Sequence, residues 1–151
     1  MKEQKCNVRI GYLLNKAARM MKYHLEGKLK EIGLTVQQYA VIRDINAYES
    51  CDNKEDYLTP AMIAKRLDFN RPTITGILER LESSGWISRA INPTDRRSQF
   101  VTITDKAKEK IPELEQCSKE TISDALKGLN EDEVNNLVRY LHIIIDNIDG
   151  F

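Results

Sequence analysis

A chain of 151 residues, 41% hydrophobic and 30% charged, can bury one ordinary core and is composed like neither a disordered nor a membrane-spanning protein. Its 23 lysines and arginines cancel its 23 aspartates and glutamates, which excludes a chain-wide electrostatic pull toward nucleic acid or lipid. The cancellation hides an asymmetry: residues 1–56 carry ten basic and eight acidic side chains, residues 57–104 seven and four, and residues 105–151 six and eleven, giving +2, +3 and −5.

The N-terminal stretch scatters lysines through an amphipathic pattern, has no small-residue cleavage site and does not read as a signal peptide. No apolar run approaches the ~18 residues of a spanning helix, so a cytoplasmic location is expected. Ile10, Leu13, Leu14, Ala17, Ala18, Met21 and Leu25 fall on one helical face, and that helix should end near Gly33. Thr35 with Gln38 makes a capping box for a second helix, Val36 to about Ala47, burying Tyr39, Ile42 and Ile45. Glu49 to Asp56 reads as an acidic loop. Thr59–Pro60 opens a short helix carrying Ile63, Ala64 and Leu67 and stopping near Asp68. Asn70 caps the next, which tolerates Pro72 in its first turn, buries Ile74, Ile77, Leu78 and Leu81, and stops at Gly85. Trp86–Ala90 and Gln99–Ile103 are strand-like, so INPTDRRS between them closes a hairpin. Thr104 and Asp105 start a helix with a kink at Pro112. Asn130 with Glu133 starts the last, which places Val134, Leu137, Val138, Leu141, Ile144, Ile145 and Ile148 at three- and four-residue steps.

Three cysteines (Cys6, Cys51, Cys117) at wide spacing argue against a disulfide framework and a CxxC zinc site. Two histidines, His24 and His142, supply a closed metal centre poorly. No Gly-rich phosphate loop, Ser/His/Asp set or paired-carboxylate arrangement stands out. No cofactor, metal or enzymatic activity is therefore expected. Asp52, Glu55 and Asp56 are the one acidic group a metal-using hydrolase would need, but a solvated surface loop is much the favoured reading of them.

Helix, short turn, helix, strand, charged hairpin, strand is the order of a winged helix-turn-helix. The major groove admits one α-helix, whose N-terminal residues reach base edges. Here those residues are hydrogen-bonding types: Asn70, Arg71, Thr73 and Thr75. A helix N-terminus also favours phosphate through its free N–H groups and dipole. The hairpin would then set Arg96 and Arg97 against phosphate or a narrow minor groove, where arginine is favoured. Any one of these features alone is a helix cap or a solvated turn; their order within about fifty residues argues for DNA.

The stretches IGYLLNKAARMMKYHLEGKLKEIGLTVQQYAVI, LTPAMIAKRL, RPTITGILERLESSGWISR and DRRSQFVTIT resemble the MarR family of bacterial transcription regulators, from about Val8 to Ile148. The most specific element is the wing, with Asp95, Arg97, Ile103 and Thr104. The resemblance implies a mainly α fold: a winged helix-turn-helix with a two-stranded wing and long terminal dimerisation helices. It divides one intertwined domain into an N-terminal dimerisation helix (1–34), a DNA-binding region (35–104) and C-terminal dimerisation helices (105–151). It implies a homodimer on pseudo-palindromic double-stranded DNA, a repressor released by a small phenolic or anionic effector. Asn70, Arg71, Thr73 and Thr75 then line the recognition helix, with Thr59 beside it and Arg80 on backbone phosphate. Asp95 orients Arg97 into the minor groove, and Arg96 or Ser98 touches phosphate. One departure is Gly76, where many members carry a long polar residue, so specificity shifts toward Arg71, Thr73 and Thr75.

An effector cleft between dimer helices and winged module would draw on Tyr12, Arg19, Met20, Tyr23 and Tyr39, which are also ordinary core and surface residues. The terminal apolar stripes exceed what a three-helix winged core covers; packing within one subunit is the alternative to a dimer. Two other functions remain: an architectural or protein-docking winged helix, and a thiol-based redox regulator using Cys6.

Overall fold

The computed structural model describes the backbone of residues 2–150 and the side chains of residues 9–150. In chain order the elements are α1 (Lys2–Lys30), α2 (Val36–Tyr48), α3 (Lys54–Tyr57), α4 (Pro60–Arg66), α5 (Arg71–Ser83), β1 (Ile87–Ile91), β2 (Gln99–Ile103), α6 (Asp105–Ala125) and α7 (Glu131–Asp149). The fold is mainly helical, with one two-stranded antiparallel sheet, as expected. The first helix begins earlier than its apolar stripe, because the lysine-rich segment before Ile10 has no core-facing periodicity to mark it.

Helix boundaries follow local hydrogen bonding. Thr35 and Gln38 exchange the reciprocal bonds of a capping box at 3.1 and 2.9 Å, and Asn130 and Glu133 do the same for α7 at 2.9 and 2.8 Å. α1 and α5 end on Gly33 (φ +85°) and Gly85 (φ +79°), a left-handed conformation that glycine adopts without steric cost. Each is followed by an N–H that reaches back to the helix, Leu34 to Leu29 and Trp86 to Leu81. α6 runs through Pro112 as one helix from Asp105 to Ala125.

The sequence reading of residues 49–56 as loop misses α3. This single turn lacks periodicity, and tertiary contacts hold it: Tyr57 stacks on Tyr48 with centroids 5.5 Å apart, and Lys54 pairs with Glu49 at 3.3 Å. Leu58 follows, fully buried, and its carbonyl accepts the Val101 N–H at 2.9 Å, lending β2 a second neighbour. β1 is shifted by one residue from expectation: Trp86 belongs to the turn after Gly85, and Ile91 pairs with Gln99.

The core joins Leu29 and Leu34 to Val41, Ile42 and Ile45 of α2, Ile63 of α4, Ile74, Leu78 and Leu81 of α5, Val101 and Ile103 of β2, and Ala107 and Leu114 of α6. Arg66 clamps α4 to α2, donating to Asp44 at 2.7 and 2.9 Å and lying over the Tyr48 ring at 4.2 Å. That carboxylate holds the guanidinium pKa above its ordinary value. Thr104 joins wing and α6: its hydroxyl donates to the Gly85 carbonyl at 2.6 Å and accepts the Ala107 N–H at 3.2 Å.

The terminal helices behave differently. None of the α7 side chains is buried; Val138, Ile145 and Ile148 are 49, 56 and 65% exposed. Along α1, Ile10, Leu13 and Leu14 are exposed, while Met21 and Leu25 are half-buried where α1 meets α6. Packing of both stripes within one subunit is thus not what the chain does.

Candidate nucleic-acid interface

α5 presents its start to solvent because α4 holds it there. Between them Leu67 ends α4, Asp68 turns the chain at φ +54°, and the Phe69 N–H returns to the Ala64 carbonyl at 2.9 Å. Ile63 and Ala64 face Ile74 and Leu78 in the core, fixing the helix pair. Asn70, extended at φ −74° and ψ 164°, accepts the Thr73 N–H at 2.9 Å through its side-chain oxygen. Pro72 fits the first turn because no bond is asked of its nitrogen. Arg71, Thr73 and Thr75 are exposed; the Thr75 hydroxyl donates to the Arg71 carbonyl at 2.8 Å and keeps its capacity to accept. Thr59 is half-buried and caps α4, accepting the Met62 N–H at 3.3 Å. Thr59 and Asn70 therefore spend part of their polarity on the helices they start.

The wing is ordered by its own short polar side chains. Asn92, only 5% exposed, accepts from both the N–H and the hydroxyl of Thr94, at 3.0 and 2.8 Å. Asp95 accepts the Arg97 backbone N–H at 3.0 Å, and its carbonyl accepts the Ser98 N–H at 2.9 Å. Asp95 thus acts on the turn rather than on a guanidinium: among the described residues it forms no ion pair. With the carboxylate so used, Arg96 and Arg97 stand exposed at the tip.

An open cleft of about 860 Å³ lies between α4, α5 and the wing. Arg71 and Thr75 line one wall, Arg89, Arg97 and Ser98 another, and Thr59 and Lys65 the rim; Ala64, Phe69, Ile74 and Leu78 make an apolar floor. Four cations and no carboxylate line it, so this cleft concentrates the positive charge that residues 57–104 carry. Lys65 and Arg89 were not among the residues picked out from sequence. Arg89 lies mid-strand and pairs with Glu82 at 3.4 Å, so it leans across to α5. Only the strand's facing direction, alternation from buried Ile87, hinted at it.

The remaining candidates lie apart. Tyr12, Met20 and Tyr23 are 60, 58 and 61% exposed along α1, and Arg19 is exposed beside them, whereas Tyr39 is a core residue at 5%. One chain does not enclose the five. Cys51 is exposed, Cys117 is partly buried with its thiol pKa pushed up by burial, and the Cys6 side chain lies outside the described residues. Asp52, Glu55 and Asp56 form no metal-holding group; among the described residues no three His, Cys, Asp or Glu side chains are placed so that they could hold a metal ion. No described helix is long and apolar enough to cross a membrane.

Residues 34–99 match the model of the MarR family. The chain is similar to a mutant MarR from E. coli complexed with operator DNA, at 25% identity and a TM-score of 0.78 over 91% of this chain and 94% of that one. The S. aureus MepR–DNA complex shares the fold at 22% identity and a TM-score of 0.80, over 91% and 97% of the two chains. So does Bordetella bronchiseptica BpsR, whose DNA binding is regulated by 6-hydroxynicotinic acid, at 22% identity and a TM-score of 0.76 over 91% and 93%.

Proposed function

This chain belongs to the MarR family of transcription regulators, and from that premise we propose that it binds double-stranded DNA in a sequence-specific manner as a homodimer and represses transcription, without catalysing a reaction. The observation that carries this reading is the cationic cleft: Arg71 on the recognition helix and Arg97 on the wing border one carboxylate-free groove. The E. coli and S. aureus relatives were captured on DNA with the same architecture.

In this reading α5 enters the major groove by its N-terminal turn, where Arg71, Thr73 and Thr75 meet base edges and Asn70 meets the backbone. The wing lays Arg97 along the minor groove, with Arg96 and Ser98 on phosphate. The dimer forms from residues 1–34 and 105–151, around the apolar faces of α1 and α7. A second copy would also supply the wall that Tyr12, Arg19, Met20 and Tyr23 lack in one chain, making a site for a phenolic or anionic effector; BpsR, regulated by an aromatic acid, has the same fold.

The test is selection of bound duplexes from a random pool, followed by titration at rising salt. A pseudo-palindromic motif should be enriched, and log affinity should fall by about 0.9 per phosphate neutralised for each decade of salt. Arg97→Ala should weaken binding to most duplexes alike, while Arg71→Ala should cost about 1–3 kcal/mol at one base pair if the arginine pairs bidentately with guanine. Binding that ignores sequence and salt would point instead to a protein-docking wing.

A further inference from the structure

The outward face of α5 has a gap at its centre, and a cation fills it. Gly76 lies one turn before Arg80, and the Arg80 Nε donates to the Gly76 carbonyl at 3.0 Å. The guanidinium is folded back along the helix onto bare backbone: a Cβ at position 76 would stand 3.1 Å from Nη2, tighter than ordinary contact. The fold-back moves the charge about one turn, ~5 Å, toward the N-terminal end that reaches base edges. Nε is satisfied by the helix, while Arg80 is exposed and, among the described residues, neither of its terminal nitrogens has a hydrogen-bond or ion-pair partner. Their fork geometry matches the O6 and N7 acceptors of guanine.

We propose that Gly76 and Arg80 act as one specificity element, with Arg80 reading a guanine in the major groove from a seat that the bare backbone at position 76 provides. This rests on the DNA-binding reading above. Gly76 is a positioning residue, since its contribution is the absence of a side chain; Arg80 makes the contact.

Arg80→Lys and Gly76→Ala separate the possibilities, assayed by selection from a random duplex pool beside the unaltered protein, with melting temperatures for each. Lysine keeps the charge but not the fork, and alanine is too small to block entry into the groove. Discrimination at one G·C position should fall about 5- to 150-fold in Arg80→Lys, with other positions unchanged. Gly76→Ala should lose preference at that same position while melting at an equal or higher temperature, because alanine is the better helix former. Retention of the full motif by Arg80→Lys would assign the arginine to phosphate and overturn the proposal; retention by Gly76→Ala would overturn the role of the glycine. If the unaltered protein enriches no motif, the DNA-binding reading falls and this inference with it.

Discussion

Asn92 shows how one short side chain can govern a functional loop. Its amide oxygen takes both donors of Thr94 in a position that water hardly reaches, so the turn leading to Arg96 and Arg97 depends on it. Asn92→Ala leaves the Thr94 N–H without its partner and should cost about 1 kcal/mol of stability. DNA affinity should fall by more than that stability loss explains, because the tip arginines lose their anchored base. Equal affinity in a duplex titration of this variant would show that the tip needs no such support. The cysteines differ at the same scale. Burial raises the Cys117 pKa, chiefly by desolvation, and leaves less of the reactive thiolate at neutral pH. With iodoacetamide on the folded protein, Cys51 should label before Cys117, whose labelling should speed up on unfolding; peptide mapping reads the order.

Elements are tied by contacts between residues far apart in the chain. α1 and α6 meet through Lys28, whose ammonium donates to Glu120 at 2.9 Å, and through His24, which lies 3.3 Å from the Thr121 hydroxyl and 3.4 Å from Asp124. The hydrogen bond from Lys28 holds the Glu120 pKa below its ordinary value, and the bond to Glu120 raises that of Lys28. The carboxylate's contribution to stability is therefore complete above the ordinary glutamate range, about pH 4, and is lost as pH falls through its depressed pKa. The ammonium's contribution is complete below about pH 10 and is lost as pH rises through its raised pKa. Both partners are exposed enough for salt to weaken the pair. Melting scans from pH 3 to 7 should show a steeper acid loss for the unaltered chain than for Glu120→Gln, and the difference should shrink at high salt. Parallel curves would remove Glu120 from the account.

At the scale of the molecule, α7 decides how the chain lives in solution. α7 is a capped nineteen-residue helix with an apolar stripe and no buried side chain, the kind of surface that marks an interaction site. The N-terminal half of α1 is likewise apolar and uncovered, and a second copy of this chain is the proposed occupant of both faces. Replacing Leu137 and Ile145 together by glutamate should convert dimers to monomers in sedimentation, since two charges would be buried unpaired at the seam. Affinity for a two-half-site duplex should then fall at least tenfold, because the second contact is no longer intramolecular. A variant that stays dimeric would move the interface elsewhere.

Much of this molecule was legible in its residues alone. Caps and stops are local chemistry: Thr35, Thr59, Asn70, Thr104 and Asn130 bond to backbone within three residues, and Gly33 and Gly85 take a conformation that their type permits. Helical and strand periods likewise marked which faces turn inward, so Ile42, Ile77, Leu78 and Val101 were readable as core or strand residues before any fold was known. Contacts across long sequence separation were not. α3 exists because Tyr57 finds Tyr48 and Leu58 finds β2, interactions that no four-residue pattern encodes. Arg89 joins the cationic cleft only because β1 packs on α5. Hydrogen bonds within one turn are fixed by residue type, whereas the neighbours of an outward side chain depend on the path of the whole backbone.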